Sequence, residues 1–177
     1  LCVMSLEGRI TAEFEKAFLQ AHKEMGRYDC TLRKLVLNSG GGLITVSMKS
    51  GEIIRHAGYT TEVAAGSKAR CASACGFLFI AGSERLARGA GQSLQGVAVR
   101  ELGLHQASRR SEDGQRTCQT EETIRPALQA RMKAYMQKML PPEGAEVYLR
   151  LMMETDCKRM RYLSTEEMLR YGIATRG

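Results

Sequence analysis

The sequence predicts an α/β fold, and three observations carry that prediction. Short apolar runs bounded by turn residues, such as Leu35-Val36-Leu37 ahead of Asn38-Ser39-Gly40-Gly41-Gly42, have the form of strands buried on both faces. Segments with apolar residues three and four positions apart alternate with those runs, as helices would. Strand, helix, strand, helix at this rhythm implies parallel strands joined by right-handed crossovers. A length of 177 residues suits one domain, over 1–177, with a substantial core.

Taken in order, Cys2-Val3-Met4-Ser5-Leu6 alternates loosely and reads as a strand closed by Gly8. Thr11 is placed to cap a helix whose Phe14, Phe18, Ala21 and Met25 recur at helical spacing. After the Leu35–Leu37 strand and its glycine turn, a second helix is expected from Leu43 to His56, and a strand from Thr60 to Ala65. A loop over 66–70 leads to Cys71-Ala72-Ser73-Ala74-Cys75-Gly76-Phe77-Leu78-Phe79-Ile80-Ala81-Gly82, too short to span a bilayer and apolar enough to be buried. Leu102-Gly103-Leu104 is a short strand ending in His105. The polar, charged text from Ala107 to Thr120 predicts an exposed loop. From Pro126 to Leu140 a helix is expected, with Leu128, Met132, Met136 and Met139 or Leu140 as its apolar stripe, stopped by Pro141-Pro142. Val147–Met153 continues as a short helix. Ser164-Thr165-Glu166-Glu167 has the form of a capping box, opening a helix that Gly172 closes.

The net charge of +7 is spread along the chain with no basic run interleaved with aromatics, so nucleic acid is not an expected partner. No stretch reaches transmembrane length, no signal peptide is visible, and a chain opening at Leu1 beside a strand reads as mature or trimmed. Six cysteines form an even set, which suggests an oxidising compartment. The expected pairs are Cys2–Cys30 and Cys118–Cys157, with Cys71 and Cys75 either bridged across one helical turn or free. The spacings lack the close pairs of a zinc site, and no metal is expected.

Ser73 stands out chemically. If its segment is a helix, the hydroxyl lies at the first turn, where free N–H groups and the dipole favour a developing anion, although a serine there also serves as a plain cap. The triple glycine lacks the Lys-Ser/Thr of a Walker loop and the spacing of a dinucleotide site, so no cofactor is implied. Its flexible backbone suits close approach to a ligand with an N–H pointed at it, or simply a tight turn. His105, at a strand end, is the histidine placed for function, whereas His22 and His56 read as surface.

Four separated pieces resemble the Clp protease proteolytic subunit in order. Asn38-Ser39-Gly40-Gly41-Gly42-Leu43-Ile44-Thr45 resembles its N-S-P-G-G-x-V-T turn, and Cys71-Ala72-Ser73-Ala74-Cys75 with Ala81-Gly82 its A-A-S-M-G segment. Leu104-His105-Gln106 resembles I-H-Q, and Arg161-Tyr162-Leu163-Ser164 through Tyr171-Gly172-Ile173 looks like R-F-L-S-x-x-E-A-x-x-Y-G-L. The cysteine-flanked serine is most similar to an uncharacterised bacterial periplasmic branch of the Clp/crotonase superfamily. The resemblance implies a spiral of ββα units with a long handle-like helix over 126–140, a candidate surface for homo-oligomers. It implies a serine peptidase in the periplasm or another exported setting, with Ser73 as nucleophile, His105 as general base, and the N–H groups of Gly42 and Ala74 as oxyanion hole. The substrate would be a peptide or protein, passing through an acyl-enzyme. Nothing in the sequence indicates a partner ATPase.

Two departures from the family pattern stand out. Gly40 replaces the proline of the turn, which should loosen it. Met160 falls where the family has its third catalytic residue, an aspartate, and Asp156, one helical turn earlier, is the candidate to orient the imidazole. Without a carboxylate the site is a Ser–His dyad oriented by a backbone carbonyl, or a catalytically silent module that binds a peptide or a subunit. A third reading makes Cys71 and Cys75 a redox lock on the serine segment.

Overall fold

The computed structural model describes residues 1–89, 93–94 and 97–177, with 93–94 and 97–98 described by backbone alone. The chain runs β1 (Cys2–Glu7), α1 (Ala12–Met25), β2 (Arg33–Asn38), α2 (Ile44–His56), β3 (Thr60–Val63), β4 (Cys71–Ala72), α3 (Cys75–Ile80) and β5 (Glu84–Leu86). It continues through β6 (Ser93–Leu94), β7 (Val97–Ala98), β8 (Leu102–Leu104), β9 (Ser108–Arg110), β10 (Arg116–Cys118), α4 (Pro126–Met139), α5 (Pro142–Glu154), β11 (Arg161–Tyr162) and α6 (Thr165–Arg170).

Strands β1, β2, β3 and β5 lie side by side in that order, every neighbouring pair parallel, as the apolar runs predicted. Leu35 and Leu37, on one face of β2, are fully buried in the core. A smaller sheet has β8 at its centre, with β4 parallel to it and β11 antiparallel. Single parallel bridges, Ile10 with Gly42 and Ser39 with Cys71, carry the pairing past the ends of β1 and β2 toward this second sheet. The connection matters, because β4 delivers Ser73 and β8 delivers His105.

Local rules explain most element ends. The Thr11 side chain accepts from the Phe14 N–H and starts α1, whose Phe14, Phe18 and Met25 are buried. Ser164 and Glu167 form the expected capping box of α6. On α4 the residues Met132, Met136 and Met139 are all core, filling space against α3 and α5 as flexible thioethers do. Arg85, buried on β5, donates to the carbonyls of Gly82, Gly172 and Ile173 and so pins the C-terminal segment to the sheet. Burial holds its pKa down at about 10, with Arg55 adding to the effect.

Four expectations are corrected. The β3 strand stops at Val63 rather than Ala65. The text over 107–120 is not a plain loop but carries the β9–β10 hairpin, exposed on both faces, so it has no apolar alternation to announce it. The last short helix is longer than read, because Pro142 starts α5 instead of merely ending α4. His22 is not a bare surface group: its Nδ1 meets the Tyr59 hydroxyl at 2.9 Å, and its ring stacks on Phe18. All three disulfides are present, Cys2–Cys30, Cys71–Cys75 and Cys118–Cys157, with no free cysteine. No helix among the described residues is long and apolar enough to cross a membrane.

Candidate active site

Ser73 does not sit in the first turn of a helix. It occupies the elbow between β4 and α3, which begins two residues later at Cys75. Its φ of 56° makes it the one non-glycine with positive φ among the described residues. An L-residue in that region carries strain that its surroundings must hold in place, and such residues concentrate at functional sites. Here the Ser73 N–H donates to the Gly103 carbonyl at 2.9 Å, and the Ser73 carbonyl accepts from the Gly76 N–H at 2.9 Å. The Cys71–Cys75 disulfide brackets the same turn, with both cysteines fully buried. Ser73 itself is half-buried.

The glycine turn abuts this elbow. A Cβ added to Gly41 would stand 2.8 Å from the Cβ of Ser73, and one added to Gly42 only 2.1 Å from the Ile10 carbonyl oxygen. Both glycines have positive φ, 107° and 153°. The turn is tied down despite the missing proline. Gly41 N–H donates to Ser39 Oγ, Ile10 N–H to the Gly41 carbonyl, Leu43 N–H to the Ile10 carbonyl, and Ala72 N–H to the Ser39 carbonyl. In this parallel bridge Gly42 turns its own N–H away from Ile10, and among the described residues neither that amide nor that of Ala74 has a backbone acceptor outside helices and strands.

Opposite β4, the register pairs Cys71 with Leu102 and Ala72 with Gly103. Continuing that register one residue sets Ser73 beside Leu104, next to His105. The imidazole is 7% exposed, and its Nδ1 lies 3.1 Å from the Arg159 carbonyl oxygen. A carbonyl only accepts, so Nδ1 carries the proton and Nε2 carries the lone pair. Burial pushes the pKa of His105 down from 6.5, and Arg116 adds to this. The carbonyls of Cys157 and Arg159 and the charge of Asp156 oppose it more weakly. The strand end is clamped by Gln106, whose N–H donates to the Thr155 carbonyl at 2.8 Å and whose Nε2 donates to the Met153 carbonyl at 2.7 Å.

Asp156 does not hydrogen-bond the ring. Its carboxylate accepts from the Lys158 N–H at 2.8 Å, and its carbonyl accepts from the Arg159 N–H at 2.9 Å, which shapes the turn that presents the Arg159 carbonyl. Met160, at the family's aspartate position, packs on Gly103 instead, its Cγ 2.7 Å from where a Cβ on that glycine would be. Cys118, Asp156 and Cys157 cluster, but both thiols are spent in their disulfide and offer a metal nothing. The sequence singled out Ser73, His105 and the glycine turn. It did not single out Arg159, whose backbone carbonyl meets the imidazole as that of any residue could, and it gave no role to Gln106, although the L-H-Q motif contained it.

No protein-family model and no curated protein sequence matches the chain. Solved structures do. A serine-to-alanine variant of the 1510-N membrane-bound stomatin-specific protease superposes with a TM-score of 0.69 at 16% identity, covering 98% of this chain and 77% of that one. A lysine-to-alanine variant of the same protease, in complex with a substrate peptide, gives a TM-score of 0.67 at 16% identity, covering 98% and 73%. These likenesses establish the fold, which is of the Clp-protease-like kind that the motifs implied.

Proposed function

We propose that the protein is a serine peptidase of the Clp-like fold in which a Ser–His dyad, oriented by a backbone carbonyl, does the work of a triad. The observation that carries this reading is the left-handed elbow at Ser73, held against Gly41 on one side and beside the His105 strand on the other. With Nδ1–H bound to the Arg159 carbonyl, Nε2 is the base. It takes the proton from Ser73 Oγ as that oxygen attacks the peptide carbonyl. The N–H groups of Gly42 and Ala74 receive the oxyanion as it forms, a contribution worth on the order of 3 kcal/mol per donor in such sites. Collapse breaks the C–N bond, and Nε2 returns its proton to the leaving amine. Water, deprotonated by the same nitrogen, then releases the acid and restores Ser73.

Asp156 enters this reading as a positioning residue, through the turn that carries Arg159 and through its charge. The peptide substrate is supported by the fold's occurrence in a protease bound to a substrate peptide. An exported, periplasmic setting is supported by the three disulfides. Assembly through α4 would use its outward face, since Met132, Met136 and Met139 are committed to the core. A fluorophosphonate probe is expected to label the oxidised chain at Ser73, to fail on Ser73→Ala, and to react roughly 100-fold or more slowly with His105→Ala. Absence of labelling at every pH, with the disulfides intact, would leave a silent peptide-binding module in place of an enzyme.

A further inference from the structure

A cleft of about 540 Å³ opens beside the glycine turn, with Ser39, Gly40, Lys68, Arg70, Arg100 and Tyr162 in its walls. Among the described residues its lining includes no acidic group. Some cations elsewhere meet a carboxylate: Lys34 and Arg88 meet Glu62, Arg161 meets Glu167, and Arg176 meets Glu84. Lys68, Arg70 and Arg100 form no such pair among the described residues. Three unmatched cations around one concavity create a positive potential that a carboxylate would fill.

Two of the three are already partly fixed. The Arg100 guanidinium stands 5.5 Å from the Tyr162 ring centroid, and the Arg70 guanidinium lies over Gly40, where a Cβ would meet its Nη2 at 3.3 Å. The walls are also coupled to the catalytic elbow. Ser39 donates to the Arg70 carbonyl and accepts from the Ala72 N–H, while Tyr162 packs on Gly103, whose carbonyl holds the Ser73 N–H. Gly40 is one residue from Gly41, which touches Ser73. A peptide lying extended across the elbow at Ser73 would therefore run on toward the cleft.

We infer that this cleft is a carboxylate subsite, and that the substrates are peptides carrying an acidic side chain or a free C-terminus near the scissile bond. The inference rests on the proposed peptidase reading for its register, but its test does not depend on turnover. Randomised octapeptide pools are passed over the immobilised Ser73→Ala chain: one with Asp and Glu and amidated C-termini, one without Asp and Glu but with free C-termini, and one lacking both. The pool lacking both is expected to be retained roughly tenfold less than at least one carboxylate pool, a ratio typical of a charge-assisted contact. The first two pools tell a side chain from a terminus. Lys68→Gln with Arg100→Gln should erase the difference, and Lys68→Glu with Arg100→Glu should reverse it toward basic peptides. Equal retention of all pools, retention of none, or indifference to the substitutions overturns the subsite. Fluorophosphonate labelling of the wild-type chain is scored separately. Labelling without carboxylate preference sinks the subsite alone, and carboxylate preference without labelling sinks the peptidase alone.

Discussion

On the proposed reading His105 is a base almost wholly out of water. Burial is the largest influence on it and favours the neutral ring, and the Arg116 charge acts the same way. Its pKa therefore lies below 6.5, and only below that value does the ring become an imidazolium unable to accept a proton. The Ser73 labelling rate should be flat through neutral pH and fall on acidification with a midpoint under 6.5. Arg116→Gln removes a cause that lowers the pKa and should move the midpoint up, whereas Asp156→Asn removes one that raises it and should move the midpoint down. A measured rate–pH curve whose midpoint shifts the same way for both variants would contradict this electrostatic account. Residue types with chemistry of their own were visible in the sequence: Ser73 stands at the elbow, the glycine turn abuts it, and His105 ends the strand whose register runs alongside. The partner of the imidazole was not visible, since Arg159 offers its carbonyl and not its side chain. Asp156, picked for its carboxylate, spends it on the Lys158 N–H and not on the ring.

At the level of elements, the glycine turn is where geometry leaves no latitude. Gly42→Ala would drive a Cβ into the Ile10 carbonyl at 2.1 Å, a backbone atom that cannot step aside. The expected cost is about 3 kcal/mol, at the upper end for single substitutions, read by urea denaturation and accompanied by loss of Ser73 labelling. Gly58→Ala is the comparison, with positive φ but open space around it, and should cost only about 1 kcal/mol with labelling retained. The parallel strands and most helices were legible because apolar periodicity survives in one dimension. The elbow was not, because an apolar run of Cys75–Ile80 reads as a helix without showing where the preceding strand ends. The β9–β10 hairpin escaped for the opposite reason, having no apolar face at all.

For the molecule as a whole, the disulfides close chain separations of 28, 4 and 39 residues. Chain-entropy reasoning gives about 4 kcal/mol for each of the two long loops and about 2 kcal/mol for the short one. Together they approach the whole stability of an ordinary domain, so the reduced chain should unfold by 37 °C while the oxidised chain does not, as circular dichroism on heating would register. Mild reductant should open Cys2–Cys30 and Cys118–Cys157 first, since Cys71 and Cys75 are both sealed in the core. An even count of cysteines does not fix who pairs with whom; the structure has the two expected long-range pairs and bridges Cys71 to Cys75, which the sequence had left either bridged or free. The bridge at Cys157 carries a further implication, because the turn it fastens to Cys118 is the one that presents the Arg159 carbonyl to the imidazole. On the peptidase reading, a newly made chain with its sulfurs still in thiol form has no fixed setting for its base. Oxidation is then the arming step, and in a reducing interior the base of a newly made chain stays unset.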